Sequence, residues 1–305
     1  MRTGKPMRRS RAILAAATLV LAASAAASPV GSAREAAGGG NAPPPEITAK
    51  DFARQQFDRS TTIDNRWLPI KPGTQLAYQG AARTGYGKKR ISHSIVFTVT
   101  DLTKVIDGVR AVVIWERDFS AGRLEEAELA FFAQDNDGNV WHLGQYPEEY
   151  EGGKIVATPT WISGLERARA GIVMRAEPRP GTPSYSQGFA PAPDVHWVDR
   201  AEVYRLGERN CVPFACYKDV LVTREYEPDK PASSQLKYYG PGVGNIRVGW
   251  TGAKDEDREI LVLVKVVQLS PAALAKVRTE ALKLEKRAYQ LSKDVYAHTP
   301  HSVTP

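Results

Sequence analysis

Carboxylates are the first residues in this chain that could do chemistry. Glu125, Glu126 and Glu128 cluster ahead of Glu148 and Glu149. Two such groups, one protonated and one ionised, can work as general acid and base on a bond held between them. That needs a shared cleft, and spacing alone points only to exposed carboxylates beside a turn. Asp135-Asn136-Asp137-Gly138-Asn139 has the look of a calcium loop. Counting Gly138 as the sixth loop position puts Ala133 first and Gly144 twelfth, so the acidic first and last ligands are missing. An Asp-Gly hairpin turn explains the same residues. Of the five histidines, His93, His142, His196, His298 and His301, only the last two sit at metal-ligand spacing. His93 falls on the apolar side of its segment, where a satisfied core histidine is expected. There is no Gly-x-Ser-x-Gly elbow, phosphate loop, dinucleotide fingerprint or His-Glu-x-x-His. No catalytic residue, metal or cofactor is assigned, and enzymatic activity is not expected.

Aromatic residues suggest binding instead. Trp141, Tyr146, Tyr150 and Trp161 crowd one stretch, and Tyr185, Phe189 and Trp197 crowd another. On a curved sheet, Trp141, Tyr146, Trp161, Tyr185 and Trp197 could line a groove for an apolar or sugar ligand. The competing reading is that they cap the core under a long loop. Cys211 and Cys216 are the only cysteines. In an oxidising compartment they are expected to form a local disulfide.

The elements that must position these groups read as strands from Gln75 to Leu269. Ile91, His93, Ile95, Phe97 and Val99 alternate with Ser92, Ser94, Val96, Thr98 and Thr100, the period of a half-buried strand. Asp107-Gly108 and Asp137-Gly138 mark hairpin turns. Later runs cover Glu202–Leu206, Asp219–Tyr226, Gln235–Tyr239, Asn245–Trp250 and Glu259–Leu269. The fold class is therefore mainly β: an antiparallel curved sheet or open, clam-like barrel over residues 48–269. Residues 152–199, rich in Gly and Pro, show no period and read as a long flap. Ser270-Pro271 then caps a helix over 270–297. Its apolar seam is Leu274, Val277, Ala281, Leu284, Ala288, Leu291 and Val295. That seam suits packing on its own domain, with pairing between chains as the alternative. Residues 298–305 are expected to be a disordered tail.

The N-terminus carries the clearest address. Arg2, Lys5, Arg8, Arg9 and Arg11 precede an uncharged run from Ala12 to Ala27 and the small-residue sites Ala25-Ala26-Ala27 and Gly31-Ser32-Ala33. This is the pattern of a secretory signal over residues 1–33, followed by a flexible linker at 34–47. The apolar run is shorter than a membrane span, so no transmembrane segment is expected in the mature chain. Arg8-Arg9 raises the twin-arginine route, although Arg11 stands where a large apolar residue is usual. The route stays open. The signal supplies five of the seven net positive charges, so the basic balance does not point to nucleic acid.

Four segments carry a family resemblance: Leu68-Pro69-Ile70-Lys71-Pro72-Gly73-Thr74, Ala133 to Trp141, Ala170-Gly171-Ile172-Val173-Met174, and Lys237-Tyr238-Tyr239-Gly240-Pro241-Gly242-Val243-Gly244. In this order they resemble a family of exported bacterial proteins without assigned activity. Its marks are an Ala-Gln-Asp-x-x-Gly-Asn-Val-Trp hairpin and a Lys-Tyr-Tyr-x-Pro-Gly-Val-Gly motif. The resemblance covers about residues 60–269 and implies an exported β-rich domain, with periplasmic lipid-carrier clams as a fold analogy only. It brings no catalytic residues. Gly240 stands where alanine is usual, the cysteine pair is an addition, and the C-terminal helix lies outside the shared region. The expected function is an exported, non-enzymatic domain of the envelope or extracellular space that binds a lipid-like or glycan ligand. The alternatives are a hydrolase of envelope material using Asp135 or Glu149, and an interaction protein assembling through its helix. A homo-oligomer is left open.

Overall fold

The computed structural model describes residues 51–83, 90–191, 195–228, 233–252 and 259–304. The expected signal peptide and linker lie outside these residues. Among the described residues fifteen strands form one sheet. They are β1 (Thr74–Arg83), β2 (Arg90–Ile106), β3 (Val109–Ser120), β4 (Arg123–Gln134), β5 (Val140–Glu151), β6 (Lys154–Ala157), β7 (Trp161–Ile162) and β8 (Arg169–Met174), then β9 (Tyr185–Ser186), β10 (Gly188–Phe189), β11 (Arg200–Cys211), β12 (Cys216–Tyr226), β13 (Ser233–Gly240), β14 (Gly244–Gly252) and β15 (Glu259–Gln268). The order is β10-β8-β5-β4-β3-β2-β1-β15-β14-β13-β12-β11-β9, with β6 and β7 also on β5. Apart from the join of β1 to β15, the long strands follow their chain order as a meander, and every pairing is antiparallel.

The two ends of this sheet nearly meet, so it forms a barrel with one unsealed seam. The join is a single short stretch of chain. Tyr185 and Ser186 pair with Ala201 and Arg200 of β11. Two residues later, Gly188 and Phe189 pair with Ala170 and Arg169 of β8. Gly171 makes the crossing possible, because a Cβ there would stand 2.0 Å from the Gly188 nitrogen. Residues 152–199, expected as a flap, thus supply β6 to β10 and part of the barrel wall. Strands of two to six residues are too short to show a period in sequence.

Two apolar cores sit on opposite faces. One draws on strands all round the sheet: Leu76 and Tyr78, Ile95 and Phe97, Ile114, Phe132, Val222, Tyr239, Ile246 and Leu263. A face shared that widely is the inside of the barrel. The other is centred on β3, β4, β5 and β8, with Val113, Leu129, Phe131, Trp141, Leu143 and Ile172, and also takes in Leu102 and Ile106 of β2, Ile162 of β7, Tyr185 of β9 and Ala201 of β11. It is covered by helix α1 (Pro271–Leu291), through Ala281, Leu284 and Ala288, and by Tyr296 beyond it. Ser270 caps the helix, its Oγ accepting from the Ala273 N–H at 3.3 Å. The middle of the seam, Ala281, Leu284 and Ala288, therefore packs on its own sheet.

Two expectations about the C-terminus are corrected. The helix stops at Leu291, which is exposed, rather than running to 297. The tail, as far as it is described, is docked on the domain rather than disordered. Val303 pairs with Thr103 of β2, with N–H···O distances of 2.8 Å in both directions. The cause is a buried ion pair, Lys104 to Glu285 at 2.9 Å. Lys104 also donates to the Pro300 carbonyl, and Glu285 accepts from the Ser302 N–H (3.1 Å) and hydroxyl (2.7 Å). Polar tail groups complete a buried charge network that hydropathy cannot reveal.

Candidate functional site

The four segments singled out in sequence meet at one end of the barrel, tied together by residues 64–68. Asn65 Oδ1 accepts from the Trp67 and Leu68 N–H groups, at 2.8 and 3.1 Å, and bends the chain over the barrel end. Asn65 Nδ2 donates to the carbonyls of Gly138 (2.9 Å) and Arg175 (3.1 Å). Gln134 Oε1 accepts from Asp64 N–H and Asn65 N–H at 3.0 and 2.9 Å. The Gly242 N–H donates to the Arg66 carbonyl at 2.8 Å. The Asp135 carboxylate organises the hairpin from within, accepting from Asn139 N–H (2.8 Å), Asn139 Nδ2 (2.9 Å) and Trp141 Nε1 (2.7 Å).

Beneath this cap lies a cavity of about 30 Å³. Leu68, Pro69, Ile70, Val243 and Gly244 form its outer lip, with Leu68, Pro69 and Val243 half-buried. Leu76, Tyr78, Phe97, Phe132, Val173 and Tyr239 line it further in, and two amides, Gln187 and Asn245, complete it. The tyrosine hydroxyls are already committed. Tyr78 Oη donates to the Asn245 carbonyl at 2.8 Å, and Tyr239 Oη to Glu225 Oε1 at 3.5 Å. Burial holds both phenols well above their ordinary pKa, reinforced by Glu116 for Tyr78 and by Glu225 for Tyr239. The lining is thus neutral across the physiological range.

The five predicted ligand residues do not line this cavity. All are buried, and they are divided between the two cores. Trp141 lies on the outer face against Phe52 and Phe57, at centroid distances of 5.4 and 6.2 Å. Tyr146 meets Tyr296 at 5.3 Å under the C-terminal segment. Tyr185 lies under the Arg175 guanidinium, 5.0 Å away. Only Trp161 and Trp197 come together, at 5.4 Å inside the barrel, both edge-on to His142. His142 stacks on the cavity residue Phe132 at 4.8 Å, and burial depresses its pKa to about 3, so the ring is neutral. Their arrangement is the core-capping one. Nothing in the local sequence singles out the cavity residues Tyr78, Gln187 and Asn245, although the motif segments carry Leu68, Val173, Tyr239 and Val243.

The carboxylates need a larger correction. Glu126 and Glu128 are buried, not exposed beside a turn. With Glu116 and Asp118 they face the barrel interior, paired directly across β3 and β4 as Glu116 with Glu128 and Asp118 with Glu126. Glu149 stands opposite Glu126. Burial, followed by the fields of Glu259, Glu126, Glu116 and Glu125, pushes the Asp118 pKa well up. His93 sits in the same region as a partnered core histidine. Its Nε2 is 2.7 Å from Glu259 Oε1, and its Nδ1 is 3.3 Å from Asp118 Oδ1 and 3.2 Å from Ser120 Oγ. Glu148 points outward and clamps the helix, accepting from Arg287 Nε and Nη2 at 2.8 Å each and from Tyr146 Oη at 2.9 Å.

Cys211 and Cys216 are bonded to each other across the β11–β12 pair. Tyr217 follows the bridge and packs against Gly240, where a Cβ would stand 2.9 Å from the ring. Gly240 therefore lies beside the residue that follows the Cys211–Cys216 bridge. Among the described residues no helix is long and apolar enough to cross a membrane, and no group of His, Cys, Asp or Glu is arranged to hold a metal ion.

No family model matches the chain, and no curated protein matches it. Among solved structures it is similar to a Bacteroides fragilis protein of YmcC-like fold, described as a proposed exported protein, at 14% identity and a TM-score of 0.38. It is also similar to a proposed lipoprotein from Parabacteroides distasonis at 10% identity and a TM-score of 0.30. Each alignment covers 67% of this chain and 99% of the other. Both scores lie below 0.5, and neither neighbour assigns this chain a role.

Proposed function

We propose that this protein is an exported, non-catalytic binding domain that takes a small apolar ligand at the capped end of its barrel. The observation that carries this reading is the cavity under Leu68 and Val243, lined by apolar side chains and roofed by segments that converge from four parts of the chain. An apolar pocket with a few placed polar groups is the usual form of a small-ligand site. Export is supported by the N-terminal pattern of residues 1–33 and by the single bridge between Cys211 and Cys216. The motif resemblance to exported β-rich proteins belongs to the same reading.

The lining favours an apolar ligand over a glycan, because a sugar needs many polar partners and the inner wall offers two amides. The hydrolase alternative has less support, because its named residues carry other contacts or lack a ligand-lined cleft. Asp135 is consumed by its hairpin, and Glu149 faces Glu126 across a strand pair at the wall. The test is native mass spectrometry of mature protein purified from its own host, with terminal sequencing on the same sample. The expected result is an N-terminus between Ala26 and Arg34 and a bound small molecule that dissociates on activation. A bulk N-terminus at Met1 refutes export. Bare protein that also takes up no apolar probe refutes binding.

A further inference from the structure

Asn245 and Gln187 leave hydrogen-bonding capacity unmet at the cavity. Asn245 is 3% exposed and Gln187 1% exposed. Among the described residues, neither Oδ1 nor Nδ2 of Asn245 has a hydrogen-bond partner, and neither does Gln187 Oε1. Because both polar atoms of the Asn245 amide are affected, flipping it changes nothing. Buried polar groups in a folded protein are nearly always satisfied, so unmet ones that line a cavity mark where a further group belongs.

We propose that this site, on the binding reading above, receives the head of a neutral hydroxyl or primary-amide ligand between Asn245 and Gln187. The unmet atoms fix the chemistry. Two are acceptors, Asn245 Oδ1 and Gln187 Oε1, and one is a donor, Asn245 Nδ2. A group that donates and also accepts satisfies them. An ionised carboxylate offers no proton to either oxygen. Among the described residues no Lys, Arg or His lines the cavity, so an anion would lie buried without a counter-charge. An ammonium would find acceptors but no carboxylate in the lining. The tyrosines add no donor to this balance, because Tyr78 Oη gives its proton to the Asn245 carbonyl and Tyr239 Oη to Glu225.

Size and shape set the rest. A cavity of about 30 Å³ accommodates a head of a few heavy atoms, since one water needs roughly 10–15 Å³ on the same measure. The remainder of the ligand must be apolar where it meets Leu76, Phe97 and Phe132, and it leaves past the half-buried Leu68 and Val243. The site thus fits an alkyl chain that enters polar end first.

The experiment uses mature protein and four probes of one chain length: 1-pentanol, pentanamide, pentanoate at pH 7 and pentane. Methyl NMR shifts of Leu68, Val173 and Val243 report binding. Saturable shifts are expected with pentanol and pentanamide, with pentanoate at least about tenfold weaker. Asn245→Leu should weaken pentanol about tenfold or more and spare pentane. Gln187→Met, which keeps the chain length and removes the acceptor, should weaken pentanol in the same direction. It serves as the independent variant if Asn245→Leu fails to fold. Pentane binding with no preference for pentanol over pentanoate overturns the headgroup assignment and leaves the apolar binding reading standing. No shift with any probe overturns both.

Discussion

Replacing Lys104 with methionine should loosen the C-terminal segment and destabilise the whole domain. The Lys104 side chain is fully buried between β2 and the helix and reaches Glu285 at 2.9 Å and Tyr289 Oη at 3.0 Å. Its ammonium also lies 4.4 Å from the centre of the Tyr296 ring. Burial lowers the Lys104 pKa, and Glu285 opposes that by favouring the charged form. Methionine keeps most of the chain volume, so packing loss is small and the charge effect dominates. Glu285, 3% exposed, is left without its cation, though Tyr296 Oη (3.2 Å) and Ser302 still donate to it. Breaking one side of a buried pair costs about 3–5 kcal/mol. At roughly 2–4 °C per kcal/mol for a domain of this size, the melting temperature should fall by roughly 6–20 °C. Lys104→Met with Glu285→Gln removes both charges and keeps an acceptor for Ser302 and Tyr296, so it should recover most of the loss. Thermal unfolding followed by circular dichroism gives the stabilities. Limited chymotrypsin digestion should cut at Tyr289 or Tyr296 faster in the single variant than in the double. A single variant within about 0.5 kcal/mol of wild type, or a double variant as unstable as the single, would refute the claim that this ion pair holds the tail.

Three further predictions concern the rest of the molecule. Leu284, 2% exposed under the helix, should cost about 2–5 kcal/mol when changed to alanine, and Leu284→Asp should lower the melting temperature with no change of mass by light scattering. A mass halved by Leu284→Asp, with an unchanged melting transition, points instead to pairing between chains. Asp118 holds its proton to higher pH folded than unfolded. Its contribution is therefore best below the unfolded carboxylate pKa and declines as pH rises from there toward the raised folded value. Urea unfolding from pH 4 to 8 should show wild type losing stability relative to Asp118→Asn as pH rises, and a gap that stays constant or moves the other way refutes this. The Cys211–Cys216 bridge closes a short loop, so its removal should cost at most about 2–3 kcal/mol in urea unfolding. Two alkylatable thiols in unreduced mature protein exclude the bridge.

The strand body was legible because alternation survives wherever one face is more apolar than the other. His93 to Val99 reads as period two in sequence and lines the barrel interior in the structure. The Asp107-Gly108 turn was equally readable, since both residues adopt the positive φ, 48° and 79°, that such a hairpin requires. The helix cap and the Val277 to Ala288 stripe follow from the 3.6-residue period. Local geometry is written in local spacing, and it also marked the segments that roof the cavity.

Which face meets which was decided only by closure of the barrel. Glu126 and Glu128 carry the same signature whether they meet water or one another, and pairing with Asp118 and Glu116 put them inside. Trp141 and Trp161 are similar in sequence, yet a bulge in β5 and the return of β7 send them to opposite cores. The tail looked free because its anchor, Lys104 with Glu285, joins residues that are 181 positions apart. Asn245 and Gln187 became a site only when β14 and the seam segment were brought to the same cavity. The amino-acid sequence determined the strands, turns and helix, which depend on neighbouring residues. The tertiary structure decided burial and partnership, because these depend on contacts between residues far apart in the chain.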